Sequence, residues 1–427
     1  MSTPRTSSPA TRAVAALVAT GVVAVLTTAC APDSGAIRTE STGAARNIIV
    51  VNGDGMAAAH REAGRLAVAG LDGRLEMDSL PVAGLLTTDS RDPSTLVTDS
   101  AAAATAWATG EKTYNGAISV GLDRRPLPIF GVQAKVAGKA TGLVTTAQVT
   151  DASPAAFFSH TTDRGEQDRI AGQYLDETKP DVILGGGEDW WHPAGVPGTY
   201  PDAPAEDPEE ASRGTQGDLV DRARQLGYTY AGSAAELQQA AGPKLLGLFA
   251  NEEMFQQKPE GQGDVYSPVV DLPTMTRKAL DTLDDAPNGF FLFVEEEAVD
   301  EFAHNNNGPR VLQSMRSLDA TVGVLRRYVA DHPDTLLVVT GDHECGGLTL
   351  ESPTVSDDET GDAESSEDGP FTVAGSTQTF VMDWTTTEHT DVPVPVTAEG
   401  PGADRFTGEH PNTYVHDVLS EVLTPRS

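Results

Sequence analysis

Short apolar, β-branched runs recur along the chain at residues 47–52, 142–146, 181–184, 244–250, 290–294 and 336–340. Each is apolar on both pleats, as in strands covered on both faces of a sheet. Between them the apolar positions take a helical period, over residues 56–69, 167–176, 272–283 and 311–330. Strands alternating with helices predict an α/β fold: a doubly wound, mostly parallel sheet with helices on both faces. Ligands of such sheets bind beyond the carboxyl ends of the strands. The unusual polar residues stand there. Asp54 follows the first run, Asp151 the second, Glu295 the fifth and Asp342-His343 the sixth.

The first 46 residues break this pattern. Arg5 and Arg12 precede an apolar run over residues 13–26, which is shorter than a membrane span and shaped like the core of a secretory signal. It closes on Leu26-Thr27-Thr28-Ala29-Cys30, which resembles a bacterial lipoprotein signal. The expectation is a signal peptide over 1–29, a lipidated Cys30 and a flexible tether over 30–46. The chain would then be exported and anchored at the outer face of the cytoplasmic membrane. An ordinary secretory signal with a chance cysteine is the alternative, and implies a secreted protein. Cys345 is the only other cysteine, so acylation of Cys30 excludes a disulfide within the chain.

Charge changes the picture further. The 427 residues hold 63 Asp+Glu against 29 Lys+Arg, a formal net charge of -34. That balance argues against nucleic acid as a partner, because its binders carry basic patches. It also argues against a small anionic substrate, unless cations that the sequence does not count sit in the site. Residues 354–370 hold acidic side chains and no basic ones. An acidic insertion over about 352–375 is expected as a solvated loop, with calcium binding as the alternative.

Five constellations could carry chemistry. In Asn52-Gly53-Asp54-Gly55-Met56, glycines flank one carboxylate on a sharp turn; alone, this is a common turn. Asp99-Ser100 opens an alanine-rich stretch closed by Gly110, so Ser100 is either a helix cap or a nucleophile aided by the helix N-terminus. Asp151-Ala152-Ser153-Pro154 is a helix start, and Arg164 follows, with a guanidinium suited to a bidentate grip on phosphate. Strand 290–294 runs into Glu295-Glu296-Glu297, which is costly to bury without cations, and Asp300 and His304 share a helix face. Finally, Asp342-His343 and Glu388-His389-Thr390 offer the nitrogen and oxygen ligands that suit zinc.

In order and spacing, Gly53-Asp54-Gly55-Met56, Asp99-Ser100-Ala101, Asp151-Ala152-Ser153-Pro154 with Arg164, Glu295 with Asp300 and His304, Asp342-His343 and Glu388-His389-Thr390 together resemble bacterial alkaline phosphatases. The resemblance runs from about residue 47 to 423, making 47–427 the catalytic domain. It implies hydrolysis of small phosphate monoesters through a covalent phosphoserine, with two Zn2+ and one Mg2+ per chain. By that resemblance Asp300, His304 and His389 hold the first zinc, and Asp54, Asp342 and His343 the second. Asp54 also reaches the magnesium, with Ser153 and Glu295 direct and Asp151 through water. Ser100 is the nucleophile and Arg164 the phosphate clamp. Relatives are often homodimers, although no segment singles out an interface.

Some positions depart from the family. Glu301 stands where many bacterial relatives carry Lys or His, Glu296 and Glu297 where small residues are usual, and Cys345 where Thr is common. Two rival functions remain at this level. Phosphodiesterases of the superfamily share the metal ligands but commonly use a Thr nucleophile, and a lipid-anchored phosphate-binding protein would need no nucleophile. The other histidines, His60, His160, His192, His332, His410 and His416, carry no catalytic expectation.

Overall fold

The computed structural model describes residues 43–202, 211–255, 266–353 and 366–423. The expected signal peptide, Cys30 and all of the tether but its last residues lie outside these, as do 354–365 of the acidic insertion. Among the described residues, no helix is long and apolar enough to cross a membrane.

Among the described residues up to Thr340, eight strands form: β1 (Asn47–Gly53), β2 (Val82–Thr87), β3 (Ala140–Gln148), β4 (Val182–Gly186), β5 (Thr229–Ala231), β6 (Leu245–Leu248), β7 (Phe290–Glu296) and β8 (Thr335–Thr340). Seven follow: β9 (Glu344–Cys345), β10 (Leu348–Glu351), β11 (Ser366–Thr372), β12 (Thr379–Trp384), β13 (His389–Thr390), β14 (Val394–Glu399) and β15 (Gly408–Pro411). The main sheet has ten strands in the order β15-β2-β14-β8-β1-β7-β3-β4-β6-β5. All its pairings are parallel except those of β14, which runs antiparallel to both β2 and β8. The doubly wound, mostly parallel expectation is met.

Alternation along the central strands builds two cores. Ile49, Val51, Leu292, Val294, Leu337 and Val339 face one side, against helices Ala58–Val68, Leu272–Leu283 and Gly308–Asp331. Ile48, Val50, Phe291, Phe293, Leu336 and Val338 face the other, against helices Ser100–Thr109, Ala152–Phe158 and Tyr414–Leu423. The period of two, apolar at both phases, is why these runs are legible as central strands.

Three expectations need correction. The first helix begins at Ala58 rather than residue 56, because Gly55 turns at φ +67 and only a glycine fits there. A Cβ at Gly55 would lie 2.5 Å from Asp300 Oδ1. Glu295 does not follow its strand but lies inside β7. The acidic insertion is not wholly a loop. Residues Ser366–Thr372 pair antiparallel with β12, because Phe371 packs against Phe380 at 5.6 Å and Asp368 accepts from the Gly308 amide at the start of a helix.

Candidate active site

Strand register brings the site together. In the sheet, β1 lies between β7 and β8, with Asn52 opposite both Glu295 and Thr340, while Thr145 of β3 flanks Glu295 from the other side. Asp54 and Asp342-His343 therefore leave adjacent strand ends. A two-stranded ribbon supplies the remaining histidine: β13 pairs with β9 so that His389 stands opposite Cys345.

Ser100 is the first residue of a ten-residue helix that is buried throughout. Asp99 caps it, accepting from the Ala102 amide at 2.9 Å with one oxygen and from the Gly116 amide at 2.8 Å with the other. Six alanines among its ten residues keep the helix thin enough to sit wholly inside the protein. Ser100 Oγ lies 3.2 Å from His343 Nε2.

Asp300, His304 and His389 converge beside it. Asp300 Oδ2 is 3.1 Å from His304 Nε2, and Oδ1 is 3.5 Å from His389 Nε2. His304 Nδ1 donates to the Thr387 carbonyl at 2.6 Å, and His389 Nδ1 donates to the Thr98 carbonyl at 3.0 Å. Those bonds make Nδ1 the donor of each ring, so each Nε2 faces Asp300 and the other ring and is left to carry a proton or a metal ion. Yet these two atoms lie only 3.0 Å apart. Two acceptors at that distance repel unless a cation or a shared proton lies between them.

The second triad is Asp54, Asp342 and His343. All three are buried, and their ligand atoms lie within 4.8 Å of one another. His343 Nε2 is 3.5 Å from Asp54 and 3.3 Å from Asp342. Asp342 Oδ1 accepts from the Gly55 and His343 amides, each at 3.1 Å. Its Oδ2 makes no hydrogen bond, nor do Asp54 Oδ1, Asp300 Oδ1 and His343 Nδ1, although a histidine nitrogen stands 3.3 to 3.5 Å from each of the three oxygens. Orphaned buried acceptors in one cluster are what a cation-binding site leaves without its cation, so the residues present fit divalent metals.

The charges point the same way. Burial, with Asp342, Asp300, Glu295 and Asp151 adding repulsion, pushes Asp54 well above the usual carboxylate range. Burial and Asp300 push Asp342 up to about 7. Burial acts on Asp300 as well but is outweighed by His389, His304 and His343, which hold it well below the usual range.

Glu295 and Ser153 stand at the third position. Thr145 Oγ1 donates to Glu295 at 2.7 Å and Asn52 Nδ2 at 3.1 Å, and the same Nδ2 reaches Ser153 Oγ at 3.4 Å. Burial pushes Glu295 up to about 8, with Asp151 and Asp342 adding to it despite the Thr145 bond. Asn52 and Thr145 have no counterpart among the residues expected from sequence. Their signal was there: each is a polar side chain within a buried central strand, close to its carboxyl end.

Arg164 completes the set. Its Nη2 donates to both oxygens of Asp151, at 3.1 and 3.2 Å, and Nη1 lies 3.5 Å from Asp99. Burial works against the guanidinium charge, but Asp151 and Asp99 outweigh it and keep Arg164 protonated. Every sequence-predicted site residue thus falls in one cluster at the carboxyl ends of β1, β3, β7 and β8.

The neighbouring glutamates are housed rather than exposed. Glu296 accepts from Tyr266 Oη at 2.6 Å and Thr146 Oγ1 at 2.8 Å, and burial pushes it up to about 7. Glu297 bonds to Asp151; burial and that charge push it well above the usual range, so it is the protonated partner. Trp191 is fully buried and serves packing, whereas half-buried Trp190 donates to Gln148 and lies under Arg213.

Comparison with known proteins agrees with this geometry. The family model described as alkaline phosphatase matches residues 45–379. Streptomycin-6-phosphate phosphatase of Streptomyces griseus is 34% identical, over 89% of this chain and 90% of the relative. Alkaline phosphatase 4 of Bacillus subtilis is 28% identical, over 88% of each. The crystal structure of a cold-active alkaline phosphatase from the psychrophile Shewanella sp. superposes with a TM-score of 0.71 at 30% identity, covering 88% of this chain and all of that one. The chain belongs to the alkaline phosphatase family and is a phosphomonoesterase.

Proposed function

We propose that the chain hydrolyses small phosphate monoesters through a covalent phosphoserine at Ser100, in a centre of two Zn2+ and one Mg2+, and releases inorganic phosphate for scavenging. Asp300, His304 and His389 would hold the first zinc, and Asp54, Asp342 and His343 the second. Asp54, Ser153 and Glu295 would hold the magnesium, with Asp151 acting through water. One observation carries this reading: two triads of acceptor atoms, several of them buried without partners, lie beside a serine at a helix N-terminus.

The ions, when bound, supply Lewis acidity that activates an oxygen nucleophile and neutralises developing charge. The rest is the work of the chain. Ser100 is held at the positive helix end, where unpaired amides favour the charged form of its oxygen. Its Oγ–P bond forms as the ester O–P bond breaks in line. Water then cleaves the phosphoserine and restores the hydroxyl. Arg164 neutralises the equatorial phosphoryl oxygens through two parallel hydrogen bonds, and Asp151 and Asp99 aim it. Thr145 and Asn52 hold the Glu295 carboxylate in one orientation.

By its name, the Streptomyces griseus relative acts on streptomycin 6-phosphate. For this chain the reading extends to phosphate esters of small alcohols as a class. The N-terminal segment fits export and a lipid anchor at Cys30, which would put the released phosphate outside the cytoplasm.

Metal analysis of the purified protein alongside monoester hydrolysis tests the proposal. Ser100→Ala should keep its metals and lose about 10³-fold or more of the rate. Unchanged hydrolysis would sink the phosphoserine. A diester of the same alcohol should be the poorer substrate; if it is the better one, the phosphodiesterase reading replaces this one.

A further inference from the structure

We propose that Cys345 Sγ is a fourth protein ligand of the cation held by Asp300, His304 and His389, which makes that site a mixed nitrogen, oxygen and sulfur centre. The inference rests on the reading of this triad as a metal site.

Cys345 is fully buried on β9, directly opposite His389 in the short ribbon. Its Sγ, an Asp300 oxygen, a His304 nitrogen and a His389 nitrogen all lie within 4.8 Å of one another. Tetrahedral zinc, with Zn–S near 2.3 Å and Zn–N near 2.0 Å, separates its sulfur and nitrogen ligands by about 3.5 Å, inside that limit. The thiol has one hydrogen bond, a long one of 3.6 Å to the Asp300 carbonyl. Such a contact leaves the sulfur lone pairs uncommitted.

An independent observation says what they face. Asp300 Oδ1 is buried without a hydrogen bond, and the Nδ1 bonds of His304 and His389 turn both Nε2 atoms to the same space, 3.0 Å apart. Asp300, the two Nε2 atoms and the thiol thus meet in one cluster, whose only protons are those the histidines and the thiol themselves carry. A buried cysteine that merely packs behaves as a small apolar group and is indifferent to the metal. Here its sulfur belongs to the same cluster of donor atoms as the triad.

Coordination balances simply. The S–H bond breaks as the S–metal bond forms, and the proton leaves to solvent. The added thiolate makes the site softer and more negative, so it should favour Zn2+ and Cd2+ over Mg2+ more strongly than a triad of nitrogen and oxygen alone.

The test uses the full chain, stripped with a chelator and titrated with Cd2+ alone. A thiolate-to-cadmium charge-transfer band should grow in the ultraviolet and saturate. With only two cysteines in the sequence, assignment is direct. Cys30→Ala should keep the band, and Cys345→Ser and Cys345→Thr should lose it while still binding cadmium. In competition with a chelator, both Cys345 variants should retain Zn2+ about 10-fold or more less tightly. A band that survives in Cys345→Ser overturns the proposal. So does its absence from wild type that binds cadmium and hydrolyses monoesters once zinc is restored, an outcome that leaves the phosphatase reading intact. Failure of the wild type to bind any metal overturns both.

Discussion

Asp99 does two jobs, and Asp99→Asn separates them. Its two oxygens cap the Ser100 helix through Ala102 and hold the Gly116 amide, while its charge draws on Arg164 at 3.5 Å. At that distance a unit pair is worth about 1 kcal/mol in a water-like dielectric and about 5 kcal/mol at an effective value of 20. Arg164 is 33% exposed, so the lower figure applies. Released from Asp99, the guanidinium has about 1 kcal/mol more to give a bound phosphate, which is roughly fivefold in affinity. The inhibition constant of inorganic phosphate against monoester hydrolysis should therefore fall about fivefold. Asparagine also brings an amide where a carboxylate oxygen was, leaving one backbone N–H facing another donor. That should cost about 1 to 3 kcal/mol of stability, read from the urea midpoint. A phosphate constant that is unchanged or raised in folded, metal-loaded Asp99→Asn would refute the reasoning. It would mean that Asp99 aims Arg164 more than it competes for it.

Glu301 follows Asp300 and should repel phosphate, so Glu301→Lys should strengthen product inhibition; an unchanged constant removes the idea. Asp189 is fully buried with both oxygens unpartnered, and burial, with Asp202 adding, pushes it from 3.8 up to about 7. The folded state then holds this proton more tightly than the unfolded one, so stability is lost as pH rises from about 4 to about 7 and the full deficit persists above that. Over about three units this is on the order of 4 kcal/mol at 1.36 kcal/mol per unit, and Asp189→Asn should gain on wild type by that order between about pH 4 and pH 8 in denaturant titrations. A gap between the two proteins that does not widen with pH would contradict it. The net charge of -34 should slow capture of phosphate esters, so kcat/KM should rise with ionic strength when metals saturate. A fall would count against it.

The central strands were legible because their apolar runs are long enough to be buried on both faces. The expected site residues came with them on short motifs, some at strand ends and others, such as Ser100 and His304, on helices. The sheet edge was not legible. β2 and β15 each leave residues exposed and so break the apolar run, and β14 reverses direction for reasons that lie in its neighbours. The two-residue strands β9 and β13 leave no periodic trace, although they bring His389 to Asp300. Pairings of this kind depend on contacts between distant parts of the chain. Asn52, Thr145 and Thr146 were visible as polar intrusions in apolar strands, but their purpose depends on the register that sets them beside Glu295 and Glu296. The acidic stretch misled because charge counts solvation and overlooks the single Phe371 that anchors β11.

The candidate ligands run from Asp54 on the first strand turn to His389 on the β13 ribbon, so the site spans most of the chain from end to end. No early-folding fragment contains it. Contacts this distant form late, after the central strands have found their partners. A nascent or partly folded chain therefore has a serine and scattered carboxylates but no centre able to turn over phosphate esters. Completion of the fold is itself the switch that turns the chemistry on, and wherever the chain finishes folding is where its activity begins.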